Sequence, residues 1–195
     1  TTSTEDEFRE KIDLETAGEV PEGLEYSIDG SYVIIMGYSG SATQLMIPDT
    51  IANCRVTGIG YAAFRDCKSL TSVNLPDGIE KIGSYAFHSC TSLTNINIPS
   101  GIKEIGIGAF YSCSSLKNIN IPGSVEKIRE HAFYNCKNLM SVNILTGVKS
   151  IEEYAFDSCS NLVSVNIPNS IVKVENYAFR SCINLTNINI PSSTE

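Results

Sequence analysis

The chain has 195 residues, 42% of them apolar, with seven cysteines, no tryptophan and a formal net charge of −8. That length suits one domain, or one domain with a small cap, and no apolar run approaches the roughly 18 residues of a membrane span. An acidic balance lacks the basic footprint that phosphate contacts need, so nucleic acid and anionic membrane surfaces are poor partners and direct membrane insertion is not expected. The charge is also unevenly placed: residues 1–58 carry the whole net −8, and residues 59–195 sum to zero.

Residues 1–22 are acidic and polar and read as an N-terminal segment or linker. Thr4 and Glu7 have the spacing of a capping box, with Phe8 and Ile12 one turn apart beyond them and Gly18 as a stop; a short helix and a solvated linker both fit this stretch. TTSTEDEF has no basic, apolar, small-residue leader and reads as the start of a processed or trimmed protein, so it does not argue for the cytoplasm.

Residues 23–58 read as an N-terminal cap. Leu24, Tyr26 and Ile28 alternate up to Asp29-Gly30, and Tyr32, Ile34 and Met36 alternate beyond it. Asp-Gly between alternating runs is a hairpin signal. Gln44-Leu45-Met46-Ile47-Pro48 then has the form of a degenerate strand and proline, with five extra residues before Pro76 that fall around Ala52–Val56, a loop holding Cys54. The end unit of a stacked array must cover an otherwise open apolar end.

From residue 59 one unit recurs without a gap. Copies begin at Ile59, Ile82, Ile105, Ile128, Ile151 and Val174, always 23 residues apart, and a fixed period of this size signals a solenoid. Each copy carries Ala-Phe, then Cys three residues on, then Leu three further, as in Ala86, Phe87, Cys90 and Leu93. An alternating segment such as Val73-Asn74-Leu75 follows and closes on Pro76, Pro99, Pro122, Pro168 or Pro191, with Leu145 in that place in the fourth copy. The Ala, Phe and Cys spacing predicts a short helical turn, and the alternation predicts a strand. Stacked at about 4.8 Å per coil, six units would extend about 29 Å.

The pattern AF-x2-C-x2-L-x2-[VI]-N-[LI]-P, followed by an apolar pair such as Ile79 and Ile82, resembles the BspA-type leucine-rich repeat over residues 59–195. The resemblance implies an α/β repeat solenoid: a right-handed coil with a parallel sheet on one face and short helical turns and irregular coil on the other. It also implies a secreted or cell-surface protein of host-associated microbes, its signal peptide or anchor absent from this chain, acting in adhesion or binding.

Six of the seven cysteines share one column, so neighbours sit one coil apart with parallel side-chain vectors. That separation is slightly too wide for a disulfide and too linear for tetrahedral metal binding. The expectation is a buried thiol ladder, with Cys54, off the pattern, read as a buried cap cysteine and, of the seven, the thiol with most scope to react or cross-link.

The partner-binding face is expected on the strands. Asn74, Asn97, Asn120, Asn143, Asn166 and Asn189 sit between inward apolar residues and point outward. Asn95, Asn118 and Asn187 join them two residues earlier, alongside Ser72, Ser141 and Ser164. This uncharged amide and hydroxyl carpet can stabilise the sheet along its own ladder, and it can also bind. Tyr111 and Tyr134, neighbours in the column after the Phe, form a second candidate patch; exposed residues on a convex turn are the plainer description. His88 and His131 lie in different columns of non-adjacent copies, and no Gly-x-Ser-x-Gly, HExxH, Walker A, GxGxxG or EF-hand pattern occurs. No cofactor, metal site or enzyme activity is expected. The sequence thus points to an adhesion or interaction module for a host or matrix protein, or a glycan. A structural spacer with weak self-association is the alternative.

Overall fold

The computed structural model describes residues 19–192 and 194. The capping-box segment Thr4–Glu7, with Phe8 and Ile12, lies outside them.

Among the described residues sixteen strands build three sheets. The longest runs β1 (Leu24–Asp29), β2 (Tyr32–Tyr38), β5 (Cys54–Ile59), β7 (Lys81–Ile82), β9 (Glu104–Ile105), β11 (Lys127–Ile128), β13 (Ser150–Ile151) and β15 (Lys173–Val174), with β4 (Thr50–Ile51) paired to β5. The Asn-bearing ladder is divided into β3 (Gln44–Met46), β6 (Ser72–Asn74) and β8 (Asn95–Ile96), then β10 (Asn118–Ile121), β12 (Ser141–Ile144), β14 (Ser164–Asn166) and β16 (Asn187–Ile188). From β5 onward in the first sheet, and throughout the Asn ladder, successive coils pair parallel, Lys81 opposite Glu104 and Asn120 opposite Asn143. The solenoid therefore carries a second parallel sheet on the face where irregular coil was expected. From β7 onward its strands are two residues long because only one inward side chain per coil, the column from Ile82 to Val174, anchors them.

The expected helical turns are not helices. In the second coil Ala86, His88 and Cys90 donate to carbonyls three residues back. Tyr85, Phe87 and Ser89 between them donate instead to Ile107, Ala109 and Tyr111 of the next coil. Left-handed φ angles at Tyr85 (59°) and Ser89 (58°) turn these alternate N–H groups outward, and a continuous helix cannot contain such angles. The sequence marks one of the two positions: Asp66, Ser89, Ser112, Asn135, Ser158 and Ser181 are all small polar residues at positive φ. The turn thus forms a third line of hydrogen bonds between coils.

The core lies between these three walls. Phe64, Phe87, Phe110, Phe133 and Phe156 are fully buried and stack nearly parallel, with centroids 5.0, 5.3, 5.2 and 5.2 Å apart. Beside them each thiol from Cys90 to Cys182 donates to the phenylalanine carbonyl one coil back, Cys90 to Phe64 at 3.0 Å and Cys113 to Phe87 at 3.1 Å, while Cys67 donates to the Tyr38 carbonyl at 3.7 Å. All seven cysteines are free.

At the N-terminal end β1 and β2 form an antiparallel hairpin around Gly30, whose φ is +61°. Its buried residues are Leu24, Val33 and Ile35, so Tyr32 and Met36, of the alternating set read from the sequence, are exposed, and Ile34 is half-buried. The Cys54 segment is a tight two-residue turn and not a loose loop: Ala52 and Asn53 both have positive φ between β4 and β5. In the fourth coil Leu145, which unlike proline has an N–H, donates to Ile121 at 2.9 Å. The chain there presses on the third coil so closely that a Cβ on Gly123 would lie 1.9 Å from the Thr146 carbonyl.

Candidate functional site

The Asn ladder presents two outward rungs per coil. Asn74 projects from β6, Asn95 from β8, Asn118 and Asn120 from β10, Asn143 from β12, Asn166 from β14 and Asn187 from β16. Asn97 and Asn189 lie just past β8 and β16, and all but half-buried Asn143 are exposed. Part of the carpet is used internally: Asn166 donates to Asn143 at 3.0 Å and Ser141 to Asn118 at 2.7 Å. Lys117 reaches Thr94 only at 3.4 Å, which is where the ladder divides between β8 and β10. Shallow depressions of about 400 and 510 Å³ lie on the two halves. Exposed Met46, Met140 and Val163 border the rungs with apolar surface.

The outer turn carries an aromatic ribbon. Tyr111 and Tyr134 stack at 4.6 Å, and His88 stacks on the other side of Tyr111 at 4.9 Å. His131 meets Tyr134 at 5.4 Å and stacks on Tyr154 at 5.0 Å, which stacks on Tyr177 at 5.1 Å. Tyr85 adjoins His88 and lies over Gly108, where a Cβ would sit 2.6 Å from its ring. The two histidines, in non-adjacent copies and different columns, thus join one surface strip, because residues three apart on this turn are neighbours across it. Sequence columns read singly missed Tyr85, Tyr154 and Tyr177; pairing each column with the one three residues earlier would have found them. Tyr85, His131, Tyr154 and Tyr177 occupy left-handed backbone, an uncommon placement for bulky residues. Burial, with Arg65 nearby, holds the His88 imidazole below its usual pKa.

Asp157, on the outer turn, is 0% exposed and lies 3.0 Å from the Arg180 guanidinium, with Ser158 donating to it. Arg180 in turn covers the rings of Tyr154 and Tyr177 at 5.4 and 5.7 Å.

The remaining face, on the long sheet, is a charge-paired surface. Lys81 meets Glu104 at 3.1 Å, Lys103 meets Glu80, and Arg129 meets Glu152 at 3.0 Å. Exposed pairs of this kind contribute little stability; their effect is to leave the face neutral. At its N-terminal end lies a cleft of about 660 Å³, walled by Tyr32 and Tyr61. Among the described residues no group of three His, Cys, Asp or Glu converges as a metal site, and no helix is long and apolar enough to cross a membrane.

Stacked 23-residue coils, a Phe-Cys-Leu interior and a parallel Asn ladder define a leucine-rich-repeat solenoid. The chain belongs to the BspA type leucine rich repeat family, which it matches in six copies over residues 38–159 and 127–195. It is similar to a leucine rich cell surface protein from Faecalibacterium prausnitzii, at 32% identity over 90% of this chain and a TM-score of 0.79. It is similar also to the T. pallidum leucine rich repeat protein (30% identity, 86% of this chain and 91% of that one, TM-score 0.69). A leucine-rich repeat protein from Bacteroides ovatus shares 28% identity over 91% of this chain and 54% of its own, with a TM-score of 0.66. The chain spans about half (49%) of the F. prausnitzii protein. No curated protein matches it.

Proposed function

We propose that the chain is a non-enzymatic adhesion module, secreted or displayed at the cell surface, which docks a host or matrix protein, or a glycan, on its Asn-rich sheet face. The observation that carries this reading is the pair of uncharged outward rungs, held in register across β10, β12 and β14. A preformed rigid surface of this kind loses little freedom on binding, so many modest contacts add up. Likeness to a protein described as a cell surface protein supports the location. The neutral faces predict weak dependence of binding on salt.

The test is retention of extracellular-matrix and cell-surface proteins by the immobilised chain, against a variant with Asn97, Asn120 and Asn143 changed to Lys and a matching melting curve. A partner kept by the parent and lost by the variant supports the sheet face. Equal retention moves docking to the aromatic ribbon or the cap. A second reading, a self-associating spacer, is favoured by Ile183, 80% exposed in a column that holds Lys68, Thr91, Ser114, Lys137 and Ser160 in the other coils. Sedimentation across a concentration series separates the two: a strict monomer ends the spacer reading.

A further inference from the structure

A repeating surface offers every coil the same chemistry, so a discriminating site belongs where the repeat is broken. The long sheet is broken at Gly58. Its outward row runs Ile34, Gly58, Lys81, Glu104 in register, and every later coil fills the Gly58 position with Lys127, Ser150 or Lys173. The missing side chain leaves the 660 Å³ cleft, floored by the backbone of Gly58, Gly60 and Gly83. Tyr32 and Tyr61 line it at 55% and 65% exposure, with the Lys81–Glu104 pair and Glu80 at its rim. Its volume falls in the range of small-ligand sites, about 300–1,000 Å³.

We propose that this cleft is a binding subsite for a neutral saccharide unit of a glycan. The inference stands apart from docking on the Asn ladder, since it uses a different sheet and different residues. Two exposed rings suit the apolar C–H face of a pyranose. In the ribbon the ring faces are spent on one another at 4.6–5.1 Å. Here Tyr61 makes a T-shaped contact with Tyr85, and among the described residues no ring stacks on Tyr32. The rim supplies carboxylate acceptors at Glu80 and Glu104, a donor at Lys81 and hydroxyls at Thr57 and Ser84. A polyol satisfies all of these without bringing a charge to be desolvated, whereas a purely apolar ligand would strand them. An extended peptide is disfavoured because β5 and β7 are paired on both sides, which leaves no open edge for strand addition.

The experiment is a titration of the full chain with cellobiose, lactose and N,N′-diacetylchitobiose, followed by amide chemical shifts and by saturation transfer to the sugar protons. Weak saturable binding of at least one disaccharide is expected, with the shifts centred on Gly58, Gly60 and Gly83. Tyr32→Ala and Tyr61→Ala should each weaken it roughly fivefold or more. Gly58→Val should abolish it in a variant whose fold is checked by its melting curve; the backbone admits a side chain there, since a Cβ at Gly58 meets its nearest neighbours, Ile34 and Lys81, at an ordinary 3.7–3.8 Å. Three silent disaccharides, shifts confined to the Asn ladder, or a folded Gly58→Val variant that binds like the parent would each overturn the proposal. Loss of protein-partner retention in the Asn→Lys variant with sugar binding intact would separate the two sites.

Discussion

The fifth and sixth coils carry the same Ala, Phe, Cys and Leu at the core columns, Ala155, Phe156, Cys159 and Leu162 against Ala178, Phe179, Cys182 and Leu185, and differ in what stands beside them. Phe156 is fully buried between two rings, while Phe179, stacked on it at 5.4 Å, is half-buried. Leu162 is buried and Leu185 is not; Cys159 is buried and Cys182 is half-exposed. Local backbone does not account for this, since both turns place their left-handed residues alike, at Tyr154 and Ser158 and at Tyr177 and Ser181. A coil owes its burial to its two neighbours, so stability in this molecule accumulates as a sum over interfaces.

Deleting one ring from each kind of coil should give the largest difference. Phe110→Ala removes a ring sandwiched between Phe87 and Phe133 and should cost about 3–5 kcal/mol, the range for a fully buried phenylalanine. Phe179→Ala should cost less than half as much, roughly 1–2 kcal/mol, because solvent already reaches that ring. Chemical denaturation of the two variants measures the difference. Equal losses would mean that the solenoid unfolds with no regard to neighbours, contrary to the interface picture.

A smaller effect is expected at the junction itself. Asp157 is buried on the outer turn of the fifth coil and meets Arg180 of the sixth at 3.0 Å. Asp157→Ala should therefore loosen the last coil preferentially, by about 1–2 kcal/mol after allowance for the half-exposed arginine. Hydrogen exchange should show the loss at amides of the sixth coil, such as Ser181 and Cys182, with the third coil unmoved. A uniform loss across all coils would contradict a local clasp.

These contrasts also explain what the sequence could and could not disclose. The inward columns were legible because burial demands an apolar side chain at the same place in every copy, and Phe, Cys, Leu and Ile recur with the period. The Asn rungs were legible as their outward complement. The helical turn was misread because Ala, Phe and Cys at one and four residues apart fit a helix as well as a turn that alternates local and inter-coil hydrogen bonds. Only the small polar residues from Asp66 to Ser181 hint at the left-handed backbone, and the tyrosines at the other left-handed position hide it. The second sheet offers a two-residue strand per coil, too short for any alternation to register. In β2 the run Tyr32-Val33-Ile34-Ile35-Met36 is apolar throughout, so its facing is decided by the register with β5. The cleft depends on one absent side chain, at Gly58, which matters only once Lys81 and Ile34 are known to flank it.

The finest probe of the same contrast is the ionisation of the thiols. Burial is the main reason that every thiol of the column except the half-exposed end pair resists losing its proton strongly; Cys67 is raised, and Cys182 is pushed up to about 11. A pKa raised in the folded state means that stability is fully present below the unfolded thiol value, near 9, and declines as the pH rises above it. The decline continues until the folded thiols themselves ionise, the half-exposed ends of the column, Cys67 and Cys182, before its interior. The melting temperature should thus be flat from pH 7 to about 8.5 and fall by pH 10, and a Cys113→Ser variant should fall less steeply than the parent while Cys67→Ser, at the less shifted end of the column, changes the slope least. Thiol labelling under native conditions reads the same order directly. Cys54, Cys67 and Cys182 should react early, and Cys90, Cys113, Cys136 and Cys159 only on unfolding. Labelling of all seven at one rate would mean that the inner coils open as readily as the last, and the neighbour-by-neighbour account of burial would fail with it.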